Sequence, residues 1–115
     1  MTEAVQEPLF PGIEKSKRGI GSSLRRLREE LGLSINALAR HTGISPSAIS
    51  KLESEGNRLP NRNTLALIIR AISKESGLSE EKISEYFEKE LGPYERERVR
   101  EALSLVQFYK KLFSD

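Results

Sequence analysis

Apolar positions along this chain recur three and four residues apart, without the sustained alternation that marks a strand. Ile20, Leu24, Leu27 and Leu31 predict a first helix that opens at Gly21 or Ser22 and stops at Gly32. Ser34 is a good N-cap for a second helix, whose stripe runs through Ala37, Leu38 and Ala39 and closes on Ile44. Gly43 supplies the residue that can leave that helix with positive φ. Ser45 then caps a third helix with Pro46 at its first position, where a missing N–H costs nothing.

After the turn-rich stretch SEGNRLPNR at 54–62, Asn63 is expected to cap a fourth helix through Leu65, Leu67, Ile68, Ile69 and Ile72. Gly77 ends it. Ser79 opens a fifth helix carrying Ile83, Tyr86, Phe87 and Leu91, and Gly92 with Pro93 punctuate the chain again. A sixth helix over about 94–113 places Val99, Ala102, Leu103, Val106, Tyr109 and Phe113 on one face, widened by Leu105, Phe108 and Leu112. Residues 1–16, with Pro8, Pro11, Gly12 and no periodicity, read as a mobile arm. There is no internal repeat and no low-complexity tract. The expectation is an all-α protein.

The second and third helices form a unit of their own, SINALARHTGISPSAISKLE at 34–53. Small Ala at 37, 39 and 48 lets two short helices cross closely, while Ile44, Ile49 and Leu52 fill the core between them. A short helix with a polar outer face, held steeply across another, fits the DNA major groove.

Composition narrows the chemistry. With 115 residues, the chain divides into the arm at 1–16, a helix-turn-helix domain at 17–77 and a helical extension at 78–115. Cysteine is absent, which removes disulfides, thiolate chemistry and Cys-based zinc sites. No apolar run approaches the ~20 residues that span a bilayer. The opening MTEAVQEPLFPG has neither a basic n-region nor an apolar h-region, so a cytoplasmic location without membrane contact is expected.

The net charge of +2 hides an asymmetry. Residues 1–75 carry 12 Lys or Arg against 8 acidic residues, for +4, and 76–115 carry 7 against 9, for −2. Within 15–62 the balance is 10 against 4, or +6. A basic block that coincides with the two-helix unit is the footprint of a polyanion partner.

In this order residues 20–72 resemble the Cro/repressor-type, or Xre-type, helix-turn-helix family. The resemblance rests on Gly32-Leu33-Ser34, on LARHTGIS at 38–45, on AISKLE at 48–53 and on Pro60 before a fourth apolar helix. It implies a lambda-repressor-like helix-turn-helix bundle of about five helices with a C-terminal helical extension. It also implies sequence-specific binding of double-stranded DNA by a transcriptional regulator, with repression the expected mode. The third helix, at 45–54, would lie in the major groove and the second across the phosphate backbone.

Carried over residue by residue, Pro46, Ser47, Ser50 and Lys51 are the expected base contacts, Lys51 donating to guanine O6 and N7. Ser34, Asn36, Ser45, Arg58, Asn61 and Arg62 are the expected phosphate contacts. Arg28 and Glu53 match a structural ion pair of the family. The family often has Gln where this chain has Ile35, so that phosphate contact is lost or moves to Asn36.

The family usually binds as a two-fold dimer, and the sixth helix is the expected contact, through Val99, Leu103, Val106, Phe108, Leu112 and Phe113. A second reading is an antitoxin, or another interaction module that uses the same fold to hold a protein such as a toxin or anti-repressor. Enzymatic function has no support. There is no P-loop, HExxH or nucleophile elbow, and the single histidine, His41, lies on the outer face of the second helix with no obvious partner. No metal, cofactor or small-molecule ligand is expected. RNA binding is disfavoured because Phe87, Tyr94, Phe108, Tyr109 and Phe113 are all assigned to the core rather than to base stacking.

Overall fold

A computed structural model describes residues 19–55 and 59–113, which form six α-helices: α1 (Ile20–Glu30), α2 (Ile35–Thr42), α3 (Pro46–Ser54), α4 (Arg62–Ser76), α5 (Glu80–Glu90) and α6 (Pro93–Phe113). No strand is present among the described residues. The all-α, helix-turn-helix bundle expected from the sequence is the observed fold.

Cap chemistry sets most of the boundaries. The hydroxyls of Ser34, Ser45 and Ser79 each accept the N–H three residues ahead, from Ala37, Ala48 and Lys82 at 3.0–3.1 Å. Gly43 and Gly77 close α2 and α4 in the left-handed region, at φ 76° and 83°. The start of α4 differs from expectation. Asn61, not Asn63, is the cap, its Oδ1 accepting the Thr64 N–H at 2.8 Å. The preceding Pro60 is buried and its carbonyl accepts from Arg98 Nη1 at 2.8 Å, which anchors the chain two residues earlier and leaves Asn63 exposed.

The central element is α4. Leu65, Ile68, Ile69 and Ile72 are buried completely or nearly so, because this helix meets α2, α5 and α6 together. Leu24, Leu38, Ile49, Ile83 and Phe87 join the same core from the other helices. One apolar cluster therefore runs from α1 to α6. Burying each large side chain contributes roughly 1.5–3 kcal/mol.

Two members of the expected dimer face belong to this core instead. Val99 and Val106 are fully buried against the chain's own helices, along with Ala102, and Val106 only backs a pocket between α4 and α6. The inner face of α6 closes over α4 and α5, and that packing consumes them. Leu103 is half-buried, while Phe108, Leu112 and Phe113 are exposed. The aromatic assignment changes in the same way. Of the five aromatics placed in the core, only Phe87 is there, and Tyr94, Phe108, Tyr109 and Phe113 are exposed.

Candidate nucleic-acid interface

The turn between α2 and α3 is fixed by Thr42, Gly43, Ser45 and Pro46. Thr42 Oγ1 donates to the Leu38 carbonyl at 2.8 Å and accepts the Ile44 N–H at 3.0 Å, so one buried hydroxyl ties the end of α2 to the chain leaving it. Gly43 then turns the backbone, and Ser45 with Pro46 starts α3 within two residues. Nothing in this arrangement needs a long loop. The angle between the helices follows from the backbone.

The inner side of α3 is held by an apolar contact, a close backbone approach and an ion pair. Ile49 is fully buried. Gly21 of α1 lies so close that a Cβ built there would sit 2.2 Å from the Leu52 carbonyl oxygen, so only glycine fits the crossing. Arg28 of α1 grips Glu53 in a two-point contact, Nε to Oε2 at 2.7 Å and Nη2 to Oε1 at 3.0 Å. Its third donor, Nη1, reaches the Leu33 carbonyl at 2.9 Å. The hydrogen bonds to Glu53 raise the Arg28 pKa further above its ordinary value. Both side chains are largely withdrawn from water, at 12% and 5% exposure, so the pair braces α3 and is not free to act as an acid.

The outer side of α3 is different. Pro46, Ser47, Ser50 and Lys51 are all exposed and share that side by helical spacing. Lys51 keeps 70% of its side chain exposed, and its nearest acid, Glu55, stands 4.0 Å away in an i,i+4 relation. Such a pair is weak at the surface, which leaves the ammonium available to another anion.

The expected phosphate-contacting residues occupy three helix N-termini. Ser34 and Asn36 open α2, Ser45 opens α3, and Asn61 and Arg62 open α4; all five are exposed. Each N-terminus presents backbone N–H groups with no intrahelical partner, together with the positive end of the helix dipole. Ser34, Ser45 and Asn61 already accept one of these N–H groups, and their own O–H or amide N–H groups remain to donate outward. Arg58 lies outside the described residues.

Three features were not anticipated from the residues. His41 is paired, its Nε2 meeting Glu75 Oε2 at the far end of α4, so it ties α2 to α4. Gly21 adds a close crossing of α1 on α3, separate from the α2–α3 crossing expected at Ala37, Ala39 and Ala48, of which Ala48 is exposed. Thr42 is the bridge across the turn. The last had a signal in the sequence: a Thr directly before the helix-ending Gly43. His41 and Glu75 are 34 residues apart, and no local pattern links them.

A braced second helix behind a tight turn, presenting a polar outer face, defines a helix-turn-helix protein. Residues 21–90, more than half of the chain, match the family described as "Helix-turn-helix domain", and the chain belongs to that family. Over 52 residues, 45% of this chain, it is 36% identical to the HTH-type transcriptional repressor RghR of Bacillus subtilis (strain 168). That match spans 38% of the Bacillus protein's length. No solved structure matches the chain. Among the described residues no helix is long and apolar enough to cross a membrane, and no group of His, Asp or Glu is arranged to hold a metal ion.

Proposed function

We propose that this chain binds double-stranded DNA sequence-specifically as a transcriptional regulator, with α3 in the major groove. The observation that carries this reading is the two-sidedness of α3. Its inner side is locked by Ile49, Gly21 and the Arg28–Glu53 pair, and its outer side carries exposed Pro46, Ser47, Ser50 and Lys51. In this reading Lys51 donates to guanine O6 and N7, Ser47 and Ser50 make shorter contacts, and Pro46 meets a thymine methyl. Ser34, Asn36, Ser45, Asn61, Arg62 and Arg58 hold the backbone. The reading surface is small, so DNA shape supplies part of the specificity.

Regulation by repression is the mode this reading favours, supported by the named activity of the Bacillus relative. A homodimer on a two-fold operator completes it, joined through the part of α6 that remains exposed: Phe108, Leu112 and Phe113, with Leu103 at the edge. Two copies would place two recognition helices on half-sites one helical turn apart.

Selection from a random DNA library with the purified protein at fixed salt tests this. Enrichment of a two-fold symmetric site, with half-sites about ten base pairs apart, is the expected result. Salt-sensitive binding without any enriched sequence, or no binding, would overturn it in favour of a protein-holding module such as an antitoxin.

A further inference from the structure

The exposed apolar groups of this chain are concentrated in one region. Among the described residues the large exposed apolar side chains are Leu67, Tyr94, Phe108, Tyr109, Leu112 and Phe113. All but Tyr94 belong either to the last turns of α6 or to the part of α4 beside them. The rings of Phe108, Tyr109 and Phe113 form a chain, with centroids 5.9 and 6.3 Å apart.

Between α4 and α6 lies a pocket of about 160 Å³, lined by Asn63, Ala66, Leu67, Arg70, Val106 and Tyr109. An apolar cavity of about 150 Å³ holds a benzene ring, so this pocket has the size for one aromatic side chain. Its charged lining residue, Arg70, is half-buried and makes no ion pair or hydrogen bond among the described residues. A guanidinium at such a rim attracts the negative face of an aromatic ring.

The ring that fits is on the same patch. Phe113 is 79% exposed and lies one turn beyond Tyr109, which forms a wall of the pocket. Knob and hole on a single surface make that surface self-complementary, which is what a two-fold contact requires. The area is also sufficient. At the 150–250 Å² carried by an aromatic side chain, the exposed parts of these five residues come to roughly 500 Å² per chain. A symmetric pair would bury about 1,000 Å², where specific interfaces begin.

We infer that a second copy of this chain covers the patch, with Phe113 of each copy seated in the α4–α6 pocket of the other beneath Arg70. This rests on α6 being the dimer element, as proposed above, and adds its register and its anchor. It also gives the pocket a role beside the N-terminus of α4. Asn63, in the wall of the pocket, is two residues from Asn61 and next to Arg62, so the contact lies beside the segment proposed to face phosphate.

The chain lacks cysteine, which makes cross-linking free of background. Leu67→Cys and Phe113→Cys copies are prepared separately, mixed and oxidised. Both positions are exposed, so neither change threatens the fold. The expected product is a mixed disulfide joining position 67 of one copy to 113 of the other, several-fold over either same-position dimer. Phe113→Ala should weaken dimerisation at least tenfold in sedimentation. Cross-links between two copies of position 113 alone would overturn the pocket register. Wild-type chain that sediments as a monomer, together with no cross-link between the two cysteine variants, would overturn the dimer and leave the patch to another protein. DNA selection on the same protein keeps the two readings apart: a monomer that enriches a half-site retains the groove reading, and a dimer without any enriched site retains the interface.

Discussion

The outer side of α3 and the tip of α6 are both surfaces that the chain leaves uncovered, and they are uncovered for opposite reasons. On α3 the exposed residues are polar or small and carry almost no packing, while everything structural is placed behind them. On α6 the first two-thirds are built into the core through Val99, Ala102 and Val106, and the apolar pattern then continues past the last helix able to cover it. A polar uncovered face costs nothing in water and suits a hydrated, charged partner. An apolar one is a cost until something sits on it. One small domain thus offers two chemically distinct surfaces.

Substitutions should separate those surfaces from the frame that holds them. The largest effect is expected from Arg28→Met, which leaves Glu53 buried without its partner and should destabilise the fold by about 3–5 kcal/mol, measured by urea unfolding. A loss below about 1 kcal/mol would mean that the pair does not brace α3. Gly21→Ala comes next. The added Cβ meets backbone, not a flexible side-chain end, so a shift of α1 against α3 costing ~1–3 kcal/mol is expected. That shift should also weaken DNA binding even though residue 21 is far from the outer face.

Lys51→Ala should leave the melting temperature unchanged and cost about 1–3 kcal/mol on the preferred site, with relaxed preference at one base pair. Retained preference in a binding titration would displace Lys51 from the base-reading role. Arg62→Ala should weaken binding to every sequence alike and lower the salt slope by about one unit.

The smallest effect concerns α5 and α6. Glu81 is held below the usual carboxylate range, first by a backbone hydrogen bond at its own position and then by the Gln107 amide, which donates to it at 3.0 Å. A carboxyl depressed in the folded state stabilises the fold above its unfolded pKa, and that contribution fades as pH falls through and below about 4.5. Gln107→Ala should therefore lower thermal stability slightly at neutral pH, and the difference should disappear in acid. A deficit that persists at low pH would assign the contact to packing.

Much of this was legible in the residues because the signals were local. Ser34, Ser45 and Ser79 act three residues ahead of themselves, and Gly43 and Gly77 mark the turns they occupy. The Arg28–Glu53 pair was legible only through family resemblance, since nothing in a 25-residue separation predicts it. What escaped was competition between neighbours and between distant faces. Asn61 and Asn63 are equally good caps in isolation, and the burial of Pro60 decided between them. The face of α6 was correctly apolar, but periodicity does not say where the covering helices stop. Val99 and Val106 therefore fell on the wrong side of the line between core and surface.

The glycine contact at residue 21 has a consequence for how such a protein can diverge. Because α1 and α3 touch through backbone at that point, the pose of α3 is set without help from Ser47, Ser50 or Lys51. Those three positions can be rewritten with little effect on folding, so under the proposed reading a change of target needs no compensating change in the scaffold. A duplicated copy could drift to a new operator through single substitutions, each remaining folded along the way.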